Sequence, residues 1–316
     1  MRCGGGRDAL QAPVSGGAQP AKLEWALVAT ISDWIEGARP RTLPAALAPV
    51  ILGTASAHAL GEASIGRAVL AGGVALALQI GVNFANDYSD GVRGTDDFRT
   101  GPPRLTGGGK TSPRRVKAAA FGSFGFAGVL GLALVAITGQ WWLLALGALA
   151  VVAAWFYTGG ARPYGYMGLG EVFVFVFFGL MATLGTTYTQ TGRVDGATWL
   201  GAIGIGIIAC ALLMVNNIRD IPTDTAVGKK TLAVRLGDAN ARRAFTAMLV
   251  LPPVLGAASA IWYPAAVAAL LLIPVGLWVA RPVRKGAVGL DLIPVLRNTG
   301  LYELVFAIFL GALLAL

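Results

Sequence analysis

From about residue 42 to its end this sequence is a succession of continuous apolar runs, most of them long enough to cross a bilayer. One crossing takes about 20 apolar residues. By that measure spans fall near 42–59, 67–86, 118–138, 140–158, 171–190, 197–217, 244–262, 264–280 and 299–316, about nine in all. Two of the runs are so long that each must fold back as a hairpin. One breaks at Thr138-Gly139-Gln140 and the other at Trp262-Tyr263-Pro264, where turn residues interrupt the apolar pattern. The expected fold class is therefore all-α integral membrane, with the spans gathered in one bundle. The runs do not alternate at period two, which argues against a β-barrel. A chain that is 55% hydrophobic and only 13% charged is not an ordinary soluble globule, and its 44 glycines suit helices that approach closely in lipid.

The charges are distributed unevenly. Of the 25 Lys and Arg residues, all but Arg67 and Arg193 fall on one side when the spans are threaded in order. Basic residues are retained on the cytoplasmic side, so a cytoplasmic N-terminus in the cell membrane is expected, with membrane lipid as a constant partner. Residues 1–22, rich in Gly, Ala, Gln and Pro and lacking a signal-peptide core, read as a disordered cytoplasmic tail. Residues 23–316 read as one polytopic domain, opening with a stretch over 23–36 that suits an interfacial helix. Cys3 and Cys210 have no metal-binding spacing. His58, the sole histidine, ends a span and is expected to be structural.

Two polar clusters close spans on the cytoplasmic side. The first is Asn83, Asn86, Asp87 and Asp90, with Asp96 and Asp97 in the glycine-containing loop that follows; the second is Asn216, Asn217, Asp220 and Asp224. Separations of three, four and seven residues place the first set on one helical face. Asn216 and Asp220 repeat the four-residue offset, and Pro222 is expected to end that helix at about Ile221. Carboxylates at a membrane edge need a cation, a partner or water. Carboxylate and amide oxygens without His or Cys suit a hard cation such as Mg²⁺, which prefers a few carboxylates together with substrate phosphate oxygens. A phosphorylated substrate is thus expected, with Arg104, Lys110, Arg162, Lys229 and Lys230 in the adjoining loops available to its oxygens. The Gly107-Gly108-Gly109-Lys110 run lacks the P-loop spacing, which argues against nucleotide hydrolysis. Glu171, at the opening of a span, is a further boundary carboxylate.

The wording of these clusters resembles the UbiA superfamily of membrane prenyltransferases from about Trp34 to the C-terminus. The resemblance is carried by Ala38-Arg39-Pro40-Arg41-Thr42-Leu43-Pro44, Asn86-Asp87-Tyr88-Ser89-Asp90-Gly91 with Gly94-Thr95-Asp96, Tyr157-Thr158-Gly159-Gly160, and Asn217-Ile218-Arg219-Asp220-Ile221-Pro222-Thr223-Asp224 with Gly228-Lys229-Lys230. It implies a UbiA-type bundle that transfers a polyprenyl group from a polyprenyl diphosphate. The wording is similar to that of the subgroup that prenylates 1,4-dihydroxy-2-naphthoate with loss of CO₂ in menaquinone biosynthesis. The resemblance further implies Asp87, Asp90, Asp220 and Asp224 as catalytic Mg²⁺ ligands. Asp96 joins them, two residues after Gly94, which stands where the superfamily has another Asp. Asn83, Asn86, Arg104, Lys110, Tyr157, Arg162, Asn216 and Lys230 are implied as substrate-binding. Nucleic acid is not among the expected partners. Two alternatives stay open from the residues alone: a superfamily member with a different acceptor, and a transporter that relays ions through its carboxylates.

Overall fold

The computed structural model describes residues 29–94 and 104–316. The expected tail, the start of the interfacial stretch and the loop holding Asp96 lie outside the described residues. Those described are helical throughout, in twelve α-helices joined by short turns. They are α1 (Ile31–Gly37), α2 (Leu43–Ala59), α3 (Ile65–Arg93), α4 (Pro113–Thr138), α5 (Leu143–Phe156), α6 (Gly170–Val174), α7 (Ala182–Thr191), α8 (Gly196–Ala226), α9 (Leu232–Leu236), α10 (Asp238–Ala258), α11 (Leu272–Arg284) and α12 (Leu292–Leu314). A π-helical stretch, Phe175–Met181, joins α6 to α7 as one rod, Gly170–Thr191.

Eight of the rods are long and apolar enough to cross a membrane. The ninth expected crossing is α5, and it is shorter than expected. Its 14 residues span only about 21 Å at 1.5 Å per residue. Both hairpins break where the sequence predicts. Gly139 takes a left-handed φ of 72° that ends α4, a conformation open to glycine without steric cost. At the other break α10 gives way to a short 3₁₀ turn, and Pro264 opens the next rod.

Helix α8 divides the bundle. On one side it packs against α10 and α12, where Ile205, Ile208, Phe245, Leu249, Phe306 and Leu310 form a fully buried core. Pro253 lacks the N–H that would pair with the Leu249 carbonyl. The Tyr302 hydroxyl donates to that carbonyl from α12 at 2.9 Å, so a proline is tolerated inside a lipid-embedded helix. On the same side Glu303 is completely buried, and neither of its carboxyl oxygens has a hydrogen-bonding partner among the described residues. On the other side of α8 the packing opens into a long cavity walled by α2, α3, α4, α5 and the Gly170–Thr191 rod. Gly179 crosses Gly206 of α8 so closely that a Cβ there would lie 2.4 Å from the Gly206 Cα. Small residues therefore set this helix spacing.

Pro222 does not end α8 at Ile221. The helix continues through it to Ala226. So near the C-terminus the missing N–H orphans a single carbonyl, and Thr223 and Thr225 hydroxyls bond back to the Asp220 and Ile221 carbonyls. The consequence is functional geometry: Asn216, Asp220 and Asp224 are successive four-residue steps on one face.

Candidate active site

The last turns of α3 present Asn83, Asn86 and Asp90 to the cavity. The Asn83 amide donates to the Ala38 carbonyl at 2.9 Å and to the Thr42 hydroxyl at 3.2 Å, and its oxygen accepts from Gln79. These bonds hold the turn that carries Arg39, the one non-glycine residue with positive φ among those described. A left-handed residue immediately before Pro40 is disfavoured by about 1–3 kcal/mol, and the surrounding bonds keep it there. Arg39 faces the cavity as a result. Asn86 accepts a hydrogen bond from the Thr158 hydroxyl at 2.8 Å. Asp90, only 6% exposed, accepts from the Tyr166 hydroxyl at 2.5 Å and pairs with Arg104 at 3.6 Å.

The end of α8 supplies the facing set. Arg219 donates to both Asp220 oxygens, at 2.7 and 2.6 Å, and to the Asn216 oxygen at 2.8 Å. Asp224 lies 3.8 Å from the Lys229 ammonium, which also sits 4.3 Å above the Tyr166 ring. Asn217 turns away from this set and donates to Glu171 at 3.2 Å. The cavity that the two sets share has a volume of about 1010 Å³. Its polar end is built from these acids, amides and bases, and its long remainder is apolar, reaching Trp142, Tyr188 and Trp199. Tyr157 borders the polar end. It is a hydroxyl donor.

An apolar cavity whose charged end joins two helix termini is the shape expected for a substrate with a charged head and a long hydrocarbon tail. Residues 46–287 match the model of the UbiA prenyltransferase family. The chain belongs to the UbiA prenyltransferase family. Among UbiA relatives, the 1,4-dihydroxy-2-naphthoate octaprenyltransferase of Mycobacterium tuberculosis is 49% identical over 288 residues, covering 91% of this chain and 98% of that one. The enzyme of the same name from Escherichia coli is 43% identical over 223 residues, covering 69% and 72%. Among solved structures, a UbiA homolog from Archaeoglobus fulgidus bound to GPP and Mg²⁺ superposes with a TM-score of 0.66 at 17% identity, covering 90% of this chain and all of that one. At that identity the likeness shows the shared UbiA fold.

The structure brings together Asn83, Asn86, Asp90, Arg104, Tyr157, Asn216, Asp220 and Asp224 around one cavity. Several other sequence candidates stand apart from it. Asp87 lies about 100° around the helix from Asn86 and is outside the cavity wall, where it binds the backbone N–H groups of Leu105 and Thr106. Lys110 pairs with Asp33 of α1. Arg162 and Lys230 are exposed and do not line the cavity; the neighbouring Lys229 does. Sequence reasoning passed over Arg219 as a topology charge, although it stands inside the second cluster. It missed Tyr166 altogether, because a 3₁₀ turn after α5 carries that hydroxyl to Asp90 and no periodicity announces such a turn.

Among the described residues, no three His, Cys, Asp or Glu side chains are gathered as a ready metal site. The donor chemistry still fits Mg²⁺. That ion is held by one or two carboxylates with substrate phosphates and water, not by an all-protein cage. Asp90 from α3 and Asp220 and Asp224 from α8, with amide oxygens beside them, are the residues that would hold it.

Proposed function

We propose that this UbiA protein transfers a polyprenyl group from polyprenyl diphosphate to 1,4-dihydroxy-2-naphthoate, releasing diphosphate and CO₂ and giving demethylmenaquinol in menaquinone biosynthesis. The observation that carries the reading is the union of two acid-and-base clusters at the head of a long apolar cavity; the names of the M. tuberculosis and E. coli relatives supply the acceptor. Mg²⁺, when bound with the diphosphate, supplies charge neutralisation for the leaving group. Arg104, Lys229, Tyr157 and Tyr166 line the cavity, which supports a role for them as donors to diphosphate oxygens as the allylic C–O bond breaks and negative charge gathers there. The apolar wall holds the tail and keeps water from the allylic cation. Arg39, which lines the cavity, is assigned to the naphthoate carboxylate by its charge. The ring forms the new C–C bond, and the electron pair of the departing C–CO₂ bond restores its aromaticity, so no strong base is required.

The reading extends to placement. The Lys and Arg distribution supports a cell-membrane protein with its N-terminus and active site on the cytoplasmic side. Purified protein supplied with Mg²⁺, a polyprenyl diphosphate and carboxyl-labelled naphthoate should release the label as CO₂, and chelation should stop it. Asp90→Asn and Asp220→Asn should each lower turnover by about 100-fold or more while the protein stays folded in detergent. Label retained in the prenylated product would refute the decarboxylating step, and turnover with 4-hydroxybenzoate alone would refute the acceptor. Gradient-driven uptake into sealed vesicles with no product would point to a transporter.

A further inference from the structure

Asp87 is 1% exposed and both its oxygens are engaged, yet not in the cavity. Oδ2 accepts from the Leu105 N–H at 2.9 Å and Oδ1 from the Thr106 N–H at 2.8 Å. A carboxylate gripping two consecutive backbone amides is a strong, directional clasp, because both bonds are charge-assisted. What it grips is the turn that begins with Arg104. That turn is tight: the Gly108 N–H donates back to the Arg104 carbonyl at 3.0 Å, and the Lys110 and Thr111 N–H groups return to the Leu105 carbonyl.

Three further contacts press the same turn onto α3. Gly91 lies one helical turn past Asp87, and a Cβ there would fall 2.5 Å from Thr106 Cγ2 and 2.8 Å from the Gly107 nitrogen, so the turn rests directly on helix backbone. Leu105, 1% exposed, plugs the space between Phe84 and Gly37. Lys110 closes the far end on Asp33. Arg104 emerges from this anchored turn into the cavity, 3.6 Å from Asp90.

We propose that Asp87 is a positioning residue that fixes Arg104 for the donor's diphosphate through the Leu105–Thr106 backbone, and that it is not a metal ligand. The two aspartates of the Asn-Asp-x-x-Asp motif thereby divide their work: Asp90 faces the substrate, and Asp87 faces the loop that brings a cation to it. This rests on the reading above that Arg104 holds diphosphate oxygens. A carboxylate swung round into the cavity would have to release two buried amides, each leaving a donor unsatisfied at a cost of about 1–3 kcal/mol.

The test uses full-length protein in detergent and a non-hydrolysable prenyl thiolodiphosphate with Mg²⁺, measured by calorimetry. No acceptor is present, so failure of the naphthoate chemistry would leave this experiment intact. In Asp87→Asn one amide loses its acceptor to an opposing NH₂, and the affinity for the diphosphate should fall by about tenfold. The Mg²⁺ concentration for half-maximal binding should change by less than about twofold, and hydrogen exchange at Leu105 and Thr106 should accelerate while α3 and α8 stay protected. On an Arg104→Ala background the same substitution should add little. A roughly tenfold rise in the Mg²⁺ requirement, or full additivity with Arg104→Ala, would overturn the assignment. Should the Asn variant fail to fold, Gly91→Ala strains the same contact with Asp87 intact. It should weaken diphosphate binding alike, and unchanged affinity there would equally refute the proposal.

Discussion

At the scale of single residues, the bundle separates two uses of buried acid. Asp90, Asp220 and Asp224 each stand beside a base, Arg104, Arg219 and Lys229 respectively. Among the described residues Glu303 has no such neighbour: it is fully buried in the packed half, both oxygens unsatisfied. A buried polar group without a partner costs about 1–3 kcal/mol, so Glu303→Met, which keeps the length and removes the demand, is expected to raise the thermal midpoint in detergent and leave prenyl transfer intact. A lower midpoint, or loss of turnover in a stable variant, would show that the carboxyl serves a purpose there. Asn83 illustrates what the sequence conceals at this scale. Its spacing placed it correctly on the cavity face, but its amide is spent on the Ala38–Thr42 turn, a contact 45 residues away that no periodicity reveals.

Elements explain why some assignments were legible and others not. Apolar length and turn residues located both hairpins, and the four-residue period aligned Asn216 with Asp220. Pro222 misled because proline is read as a stop, whereas near a helix C-terminus it removes only one bond and leaves the face continuous. Asp87 shares the motif and the broad helical face of Asn83 and Asp90, but it sits at the edge of that face, where its oxygens meet the Leu105 and Thr106 N–H groups instead of the cavity, a contact that periodicity does not reveal. Loops were the least legible, since the basic residues at 104, 110, 162, 229 and 230 carry no periodic signal. Which of them reach the cavity depends on turns such as 104–111. The element-scale expectation concerns that turn's seat. Gly91→Ala should displace it from α3 and raise the KM for the prenyl diphosphate several-fold, by about 1 kcal/mol or more, with helix content unchanged by circular dichroism. An unaltered KM would mean that the turn gives way without moving Arg104.

The molecule as a whole sets packed helices on one side of α8 and hydrocarbon-lined space on the other. Gly185 of α7 lines that space, and a side chain built there meets nothing within 4 Å. Gly185→Trp should therefore fill the tail region without disturbing the head. Long polyprenyl donors should lose at least about tenfold in kcat/KM, the effect of roughly 1.4 kcal/mol of lost tail binding, while geranyl diphosphate keeps its rate; equal losses for both would place the tail elsewhere. On the proposed function, the paired charges at the head of the cavity would also govern the order in which ligands arrive. A bare divalent ion entering alone must pull acids from their bases and leave buried cations stranded, and a bare diphosphate must do the reverse. Arriving together as one complex, they would let every ion pair exchange partners at once, so on the proposed function the site would select for the metal-bound form of its donor and against either component by itself.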